Sequence, residues 1–119
     1  MLERNPIVYE LLCDGLARAS EMTSDTGDLA HITERLKLNK IDALDYLAKL
    51  APENKFDVIY LDPMFELPAK VAKAKKEMHA LQNLVGADSD AGKVLKKAMR
   101  HARYRTVVKR SNKSPSLTN

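Results

Sequence analysis

The sequence predicts an α/β fold, a mostly parallel sheet flanked by helices. Three observations predict it. Asp57-Val58-Ile59-Tyr60-Leu61 is a short, nearly continuous apolar run, as expected of a strand covered on both faces of a parallel sheet. Stretches with apolar residues at helical spacing precede and follow that run. Thr106-Val107-Val108 then supplies a further β-branched strand. Strands separated in this way by helices pair in parallel through right-handed crossovers.

Each element has its own local cause. Met1-Leu2-Glu3 has the character of the end of a strand. Asn5 can cap a helix with Pro6 at its first position, which places Ile7, Leu11, Leu12 and Leu16 on one face. Residues 23–27 read as a loop, and a short helical turn follows from Asp28 to Glu34. Leu36, Leu38 and Ile41 alternate with polar residues, as a short strand would. Residues 43–50 form a short helix that Ala51-Pro52 ends. Beyond the 57–61 strand, residues 69–85 are helical, with Val71, Ala74, Met78, Leu81 and Val85 inward and lysines outward. Asp88, Ser89 or Asp90 can cap the last helix, whose apolar side holds Val94, Leu95, Ala98, Met99 and Ala102. Residues 1–110 are thus expected to form one domain, followed by a loose polar tail over 111–119.

Composition narrows the function classes. A chain of 119 residues makes one domain at most, and none of its apolar runs approaches the ~20 residues of a membrane span. Met1-Leu2 leads directly into Glu3-Arg4-Asn5-Pro6, unlike a signal peptide. A single cysteine, Cys13, excludes an internal disulfide framework and fits a reducing compartment, so the expected location is cytoplasmic. His31, His79 and His101 share no spacing with one another or with Cys13, so no metal site is expected. The formal net charge of +4 conceals an asymmetry. Residues 1–62 hold 7 Lys/Arg against 12 Asp/Glu, whereas residues 63–119 hold 13 against 4. A basic half of this strength suits a polyanionic partner, because Lys and Arg release condensed counterions from phosphates; solvated helix faces are the plainer alternative.

The chemistry centres on Asp62-Pro63-Met64-Phe65. In open α/β sheets ligands sit outside the carboxyl ends of the strands, which is where an Asp-Pro following Val58-Ile59-Tyr60-Leu61 falls. The carboxylate and the carbonyls around the proline can accept hydrogen bonds from an exocyclic amine, aiming its nitrogen lone pair at a methyl donor. Phe65 can stack on an extruded base. The pattern resembles the Asp-Pro-Pro-Tyr/Phe motif of amino-group methyltransferases, with Met64 in place of the second proline. An Asp-Pro turn without chemistry is the competing reading. Glu3, at a strand end, can accept hydrogen bonds from ribose hydroxyls, and Arg4 could flank the cofactor; dinucleotide dehydrogenases place an acid at the same point. Asp42, in Lys40-Ile41-Asp42-Ala43, either borders an adenine or only caps the following helix. Lys109 and Arg110 follow a strand and so share a rim with Asp62, which makes them better phosphate contacts than the helix lysines Lys75 and Lys76.

Together these residues resemble one family, the small-subunit ribosomal RNA methyltransferase J proteins. The resemblance rests on Leu2-Glu3-Arg4-Asn5-Pro6, Asp14-Gly15-Leu16-Ala17-Arg18 and Tyr60-Leu61-Asp62-Pro63-Met64-Phe65. It continues through Lys75-Lys76-Glu77-Met78, Leu84-Val85-Gly86 and Val107-Val108-Lys109-Arg110, in order over nearly the whole chain. The family implies a Rossmann-like class I methyltransferase fold that uses S-adenosylmethionine to methylate the exocyclic amine of a guanine in 16S RNA, free or within the 30S subunit. It further implies that Glu3, Arg4, Asp42, Ala43 and Asp62 contact the cofactor, that Asp62, Pro63 and Phe65 serve the reaction, and that Lys109, Arg110, Lys75 and Lys76 face RNA.

Two departures stand out. Glu66 follows Phe65 where the family usually has proline, and relatives can carry small hydroxyl residues at the Asp42-Ala43 pair. With glycine only at 15, 27, 86 and 92, the sequence also has no Gly-rich loop after a first strand. By the resemblance the match runs from the end of the family's second strand to its fifth, omitting the central first strand and the closing hairpin. The expectation is a fragment, marginally stable alone and a poor cofactor binder. The alternative class is a non-catalytic basic RNA-binding module, whose RNA affinity would be indifferent to cofactor and to Asp62→Ala.

Overall fold

The computed structural model describes residues 1–21, 28–64, 85–86, 88–110 and 117, with 28–30 by backbone alone. The chain divides into two compact units, Met1–Tyr46 and Leu47–Asn119.

In the first unit, β1 (Leu2–Glu3) leads into α1 (Pro6–Glu21), then α2 (Asp28–Glu34) and β2 (Asn39–Lys40). Asn5 starts α1 as its sequence position suggests. Its side-chain oxygen accepts from the amides of Ile7 at 2.9 Å and Val8 at 3.2 Å, two donors that the first helical turn leaves without partners. β1 and β2 pair in parallel, Leu2 with Asn39 and Glu3 with Lys40. The Asn39 amide donates to the Met1 carbonyl, and that of Ile41 to the Glu3 carbonyl. Lys40 reaches back to α1, 3.8 Å from the Glu10 carboxylate and 5.4 Å from the centre of the Tyr9 ring.

Two expectations shift here. The strand expected from the Leu36, Leu38 and Ile41 alternation is the shorter pair Asn39–Lys40. Amides of Arg35 and Leu36 donate to the carbonyls of Ile32 and Thr33, so this stretch completes the end of α2 before the ladder begins. On α1, Ile7 and Leu11 are exposed, at 50% and 60%, while Val8, Leu16 and Ala19 are half-buried. The helix is apolar around much of its circumference, and its contacts with α2 and β1 take the sector next to the one expected.

The boundary between units falls within α3 (Ala43–Lys49), of which Leu47 is buried. In the second unit β3 (Phe56–Leu61) pairs in parallel with β4 (Ala102–Val108), and α4 (Ala91–His101) packs on both strands. Ala91, Leu95 and Ala98 are buried, a four-then-three spacing that puts them on one helix stripe. Met99, expected on that stripe, is exposed. β4 starts four residues earlier than Thr106-Val107-Val108 implied, and Ala102 belongs to it rather than to the helix. Ala102 is extended (φ −87°, ψ 130°) while its amide still donates to the Ala98 carbonyl, so helix passes to strand with no loop. Between the Phe56–Ala102 and Val58–Arg105 pairs β4 advances three residues to the two of β3, an irregularity of bulge type.

β3 was expected to be covered on both faces. Ile59 and Leu61 are half-buried, but Val58 and Tyr60, on the opposite face, are exposed at 47% and 58%. Strand side chains alternate in direction, and among the described residues the packing covers one side of the pair. Both ladders are parallel, as expected, but among the described residues they form two separate two-stranded sheets rather than one. The predicted helix over 69–85 lies outside the described residues except for helical Val85, and of the expected tail only Leu117 is described. No helix among the described residues is long and apolar enough to cross a membrane.

Candidate functional site

The predicted site residues that the structure describes lie at the carboxyl ends of the two parallel pairs, each set within its own unit. At the end of the β1–β2 pair, Glu3 is half-buried, and its Oε1 accepts the Asn5 amide at 2.6 Å. Arg4, the next residue, donates through Nη1 to Asp42 Oδ2 at 3.1 Å across the gap between the strand ends. Asp42 uses its other oxygen to start α3, accepting the amides of Leu44 at 2.7 Å and Asp45 at 3.3 Å. Both readings of Asp42 are therefore compatible with its position: it caps the helix and it stands on the strand-end rim, with Ala43 as the first residue of α3.

The electrostatics of Asp42 follow from these bonds. Partial burial alone would raise its carboxyl. The Arg4 hydrogen bond, the amides of Leu44 and Asp45 and the Arg4 charge outweigh that and hold it below the ordinary carboxylate value.

At the end of the β3–β4 pair, Asp62 and Pro63 follow β3, and Lys109 and Arg110 follow β4. The Lys109 amide donates to the Leu61 carbonyl at 2.9 Å, which extends the ladder by one bond. The Lys109 ammonium donates to Asp62 Oδ2 at 2.8 Å. The hydrogen bond to Asp62 and the Asp62 charge raise the lysine above its ordinary value. Asp62 and Lys109 remain open to solvent, with side chains exposed to 52% and 64%. The lysine expected to meet a phosphate is thus ion-paired to the carboxylate of the motif.

Sequence reasoning passed over one residue here. The Asp88 carboxylate accepts the Met64 amide at 2.7 Å, and the Asp88 amide donates to the Met64 carbonyl at 2.9 Å. The sequence offers Asp88 only as a possible helix cap. Its partner is 24 residues away, so no local spacing announces the bond. Phe65, Lys75 and Lys76 lie outside the described residues.

Strand-end acids and cations of this kind suit a nucleotide-like ligand and a polyanion. A family model described as putative SAM-dependent methyltransferase matches residues 1–119. The chain belongs to this family. Within the methyltransferase family it is similar to proteins called ribosomal RNA small subunit methyltransferase J. That of Cellvibrio japonicus is 48% identical over 120 residues, covering all of this chain and 45% of its own length. That of Hydrogenovibrio crunogenus is 48% identical over 118 residues, 99% of this chain and 42% of the relative. That of Photobacterium profundum is 46% identical over 122 residues, 100% of this chain and 46% of the relative. The chain thus spans less than half the length of these relatives. The family resemblance expected from the sequence is met over the whole chain.

Proposed function

We propose that the chain forms part of a Rossmann-like class I methyltransferase domain that methylates the exocyclic amine of a guanine in small-subunit ribosomal RNA. The carrying observation is the Asp62-Pro63 turn at the carboxyl end of a parallel strand pair, within a chain that matches the methyltransferase family from end to end. The names of the similar relatives support RNA of the small subunit as the substrate class.

The residues present fit the cofactor. S-adenosylmethionine offers ribose hydroxyls, an adenine and a carboxylate, and the β1–β2 end offers an acid, a cation and a second acid in Glu3, Arg4 and Asp42. Glu3 would hold the ribose, with Arg4, Asp42 and Ala43 flanking the nucleoside. When bound, the cofactor supplies an electrophilic methyl group on a sulfonium. The chain's own task is then positioning. Asp62 accepts a hydrogen bond from the guanine amine and fixes the direction of the nitrogen lone pair, and the Asp62 and Pro63 carbonyls can share in this. Phe65 stacks on the base. Lys109 donates to the Asp62 carboxylate and holds its orientation between turnovers, and with Arg110, Lys75 and Lys76 it faces the RNA backbone.

The test uses the natural gene product that carries these residues and measures labelled methyl transfer to small-subunit ribosomal RNA. Asp62→Ala is expected to lower turnover on the order of 100-fold while leaving RNA affinity unchanged. Undiminished methyl transfer in Asp62→Ala would overturn the assignment. Salt-sensitive RNA binding with no methyl transfer even by the unmodified protein would favour the binding-module reading.

A further inference from the structure

We propose that Asp88 is a positioning residue for the Asp62-Pro63-Met64 turn, a role that rests on the reading of Asp62 given above. The turn needs an outside anchor. Pro63 has no N–H, so the backbone cannot donate a hydrogen bond at the residue after Asp62. On the near side the Leu61 carbonyl is taken by the Lys109 amide at 2.9 Å, which among the described residues is the last bond of the β3–β4 ladder. The first backbone donor beyond Asp62-Pro63 is the Met64 amide, and the Asp88 carboxylate takes it at 2.7 Å. The Met64 carbonyl in turn receives the Asp88 amide at 2.9 Å. Two residues 24 positions apart are thereby joined in a closed ring of two hydrogen bonds, one of them charge-assisted.

The other end of this clamp is equally fixed. The Ala91 amide donates to the Asp88 carbonyl at 3.2 Å, which ties Asp88 to the start of α4. α4 is held by its buried stripe of Ala91, Leu95 and Ala98. Asp90 occupies the capping position of α4. Gly86 has φ +77°, and a Cβ there would meet nothing within 4 Å. Glycine is therefore required at that position for its backbone conformation and not for space, and it bends the chain two residues ahead of Asp88. The carboxylate of Asp62 sits between two fixed points, the ladder bond at Leu61 and the clamp at Met64. The clamp sets its direction without touching substrate.

The proposal separates turnover from binding. In the natural gene product, Asp88→Ala should lower kcat about ten-fold or more, with KM for RNA and cofactor affinity within about two-fold of the parent. Asp88→Asn keeps an oxygen for the Met64 amide and should recover to within about three-fold. Before any substrate is added, the Met64 amide should exchange with solvent at least about ten times faster in Asp88→Ala, while amides inside α4 keep their protection. If Asp88→Ala does not fold, Asp88→Ser takes its place, since the shorter side chain keeps a polar group but loses the reach. Unchanged Met64 exchange, unchanged kcat, or an Asn variant as impaired as the Ala variant would each overturn the clamp. Failure of the underlying reading looks different: there Asp62→Ala keeps its kcat, whatever Met64 exchange does.

Discussion

The ends of the two parallel strand pairs solve the same geometric problem in opposite ways. Each pair closes with an acid after one strand ion-paired to a cation after the other, Arg4 with Asp42 and Lys109 with Asp62. In the first, the acid follows the later strand and has further employment. Asp42 spends one oxygen on Arg4 and the other on two amides of α3, and its side chain is only 27% exposed. In the second, the acid follows the earlier strand, sits at a proline turn and is 52% exposed beside a flexible lysine. A planar guanidinium and a helix start make a fixed rim, whereas an ammonium on a four-carbon stem makes one whose partners can exchange. On the proposed function, the fixed rim would take a cofactor that always presents the same groups, and the looser one a substrate base that must enter and leave.

The largest expected effect removes the support of one rim alone. Leu95→Ala takes a buried side chain from the stripe that seats α4 on β3 and β4, and should cost about 2–5 kcal/mol. Hydrogen exchange should show lost protection in β3, β4 and α4 while the Asn5-capped start of α1 is unaffected. Equal loss in both units would break the comparison.

A smaller effect is expected at the fixed rim. Asp42→Ala removes the acceptor for Leu44 and Asp45 and should cost about 1 kcal/mol, as lost caps do, with Asp42→Asn recovering most of it. The pH dependence has a definite sign. Because the folded-state carboxyl is held below its unfolded value, its contribution is complete above about pH 4 and fades as pH falls through the lowered value. Acid titration of stability should therefore show a component that Asp42→Asn lacks.

The smallest effect is expected at the open rim. Exposed ion pairs contribute little to stability, so Lys109→Met should leave the unfolding midpoint near that of the parent and any difference should vanish in high salt. The raised lysine value places its contribution below about pH 10, to be lost as pH rises further. RNA affinity is the sharper measure: loss of one phosphate contact should reduce the salt dependence of binding by a slope of about one. An unchanged slope would leave Lys109 serving Asp62 alone.

What could be read from the sequence was what neighbours in sequence determine. Asn5-Pro6 starts α1 through bonds to residues two and three positions away, and the apolar run before Asp62 makes its own strand. Asp62, Pro63, Lys109 and Arg110 could be placed on one rim because parallel strands bring their carboxyl ends together. Distant partners were not legible. Ala102 also falls on the apolar side of the preceding helix, so its place in a strand does not show in the sequence; the segment from Ala102 becomes strand where β3 offers it a ladder and Asp57 pairs with Arg103 at 2.9 Å. The same holds for Asp88, whose use depends on a turn 24 residues earlier. The apolar pattern puts Ile7 and Leu11 on one helix face and Val58 and Tyr60 in a strand that suits cover on both sides, yet all four are exposed, because hydrophobicity says only what a side chain prefers. Which faces are covered depends on what packs there.

The junction at His101–Ala102 carries a consequence for how this region can change. Most helix-to-strand connections contain a few loop residues that absorb insertions and deletions. Here the amide of the first strand residue still belongs to the helix, so there is no slack. One residue gained or lost at that point would turn every side chain of β4 to the opposite side. Thr106 and Val108 would leave the half-buried face, and the Lys109 side chain would point away from Asp62. The buried stripe of α4 therefore acts as a ruler for a cation eleven residues beyond Ala98. Length variation should be tolerated at many surface points of this chain before it is tolerated there.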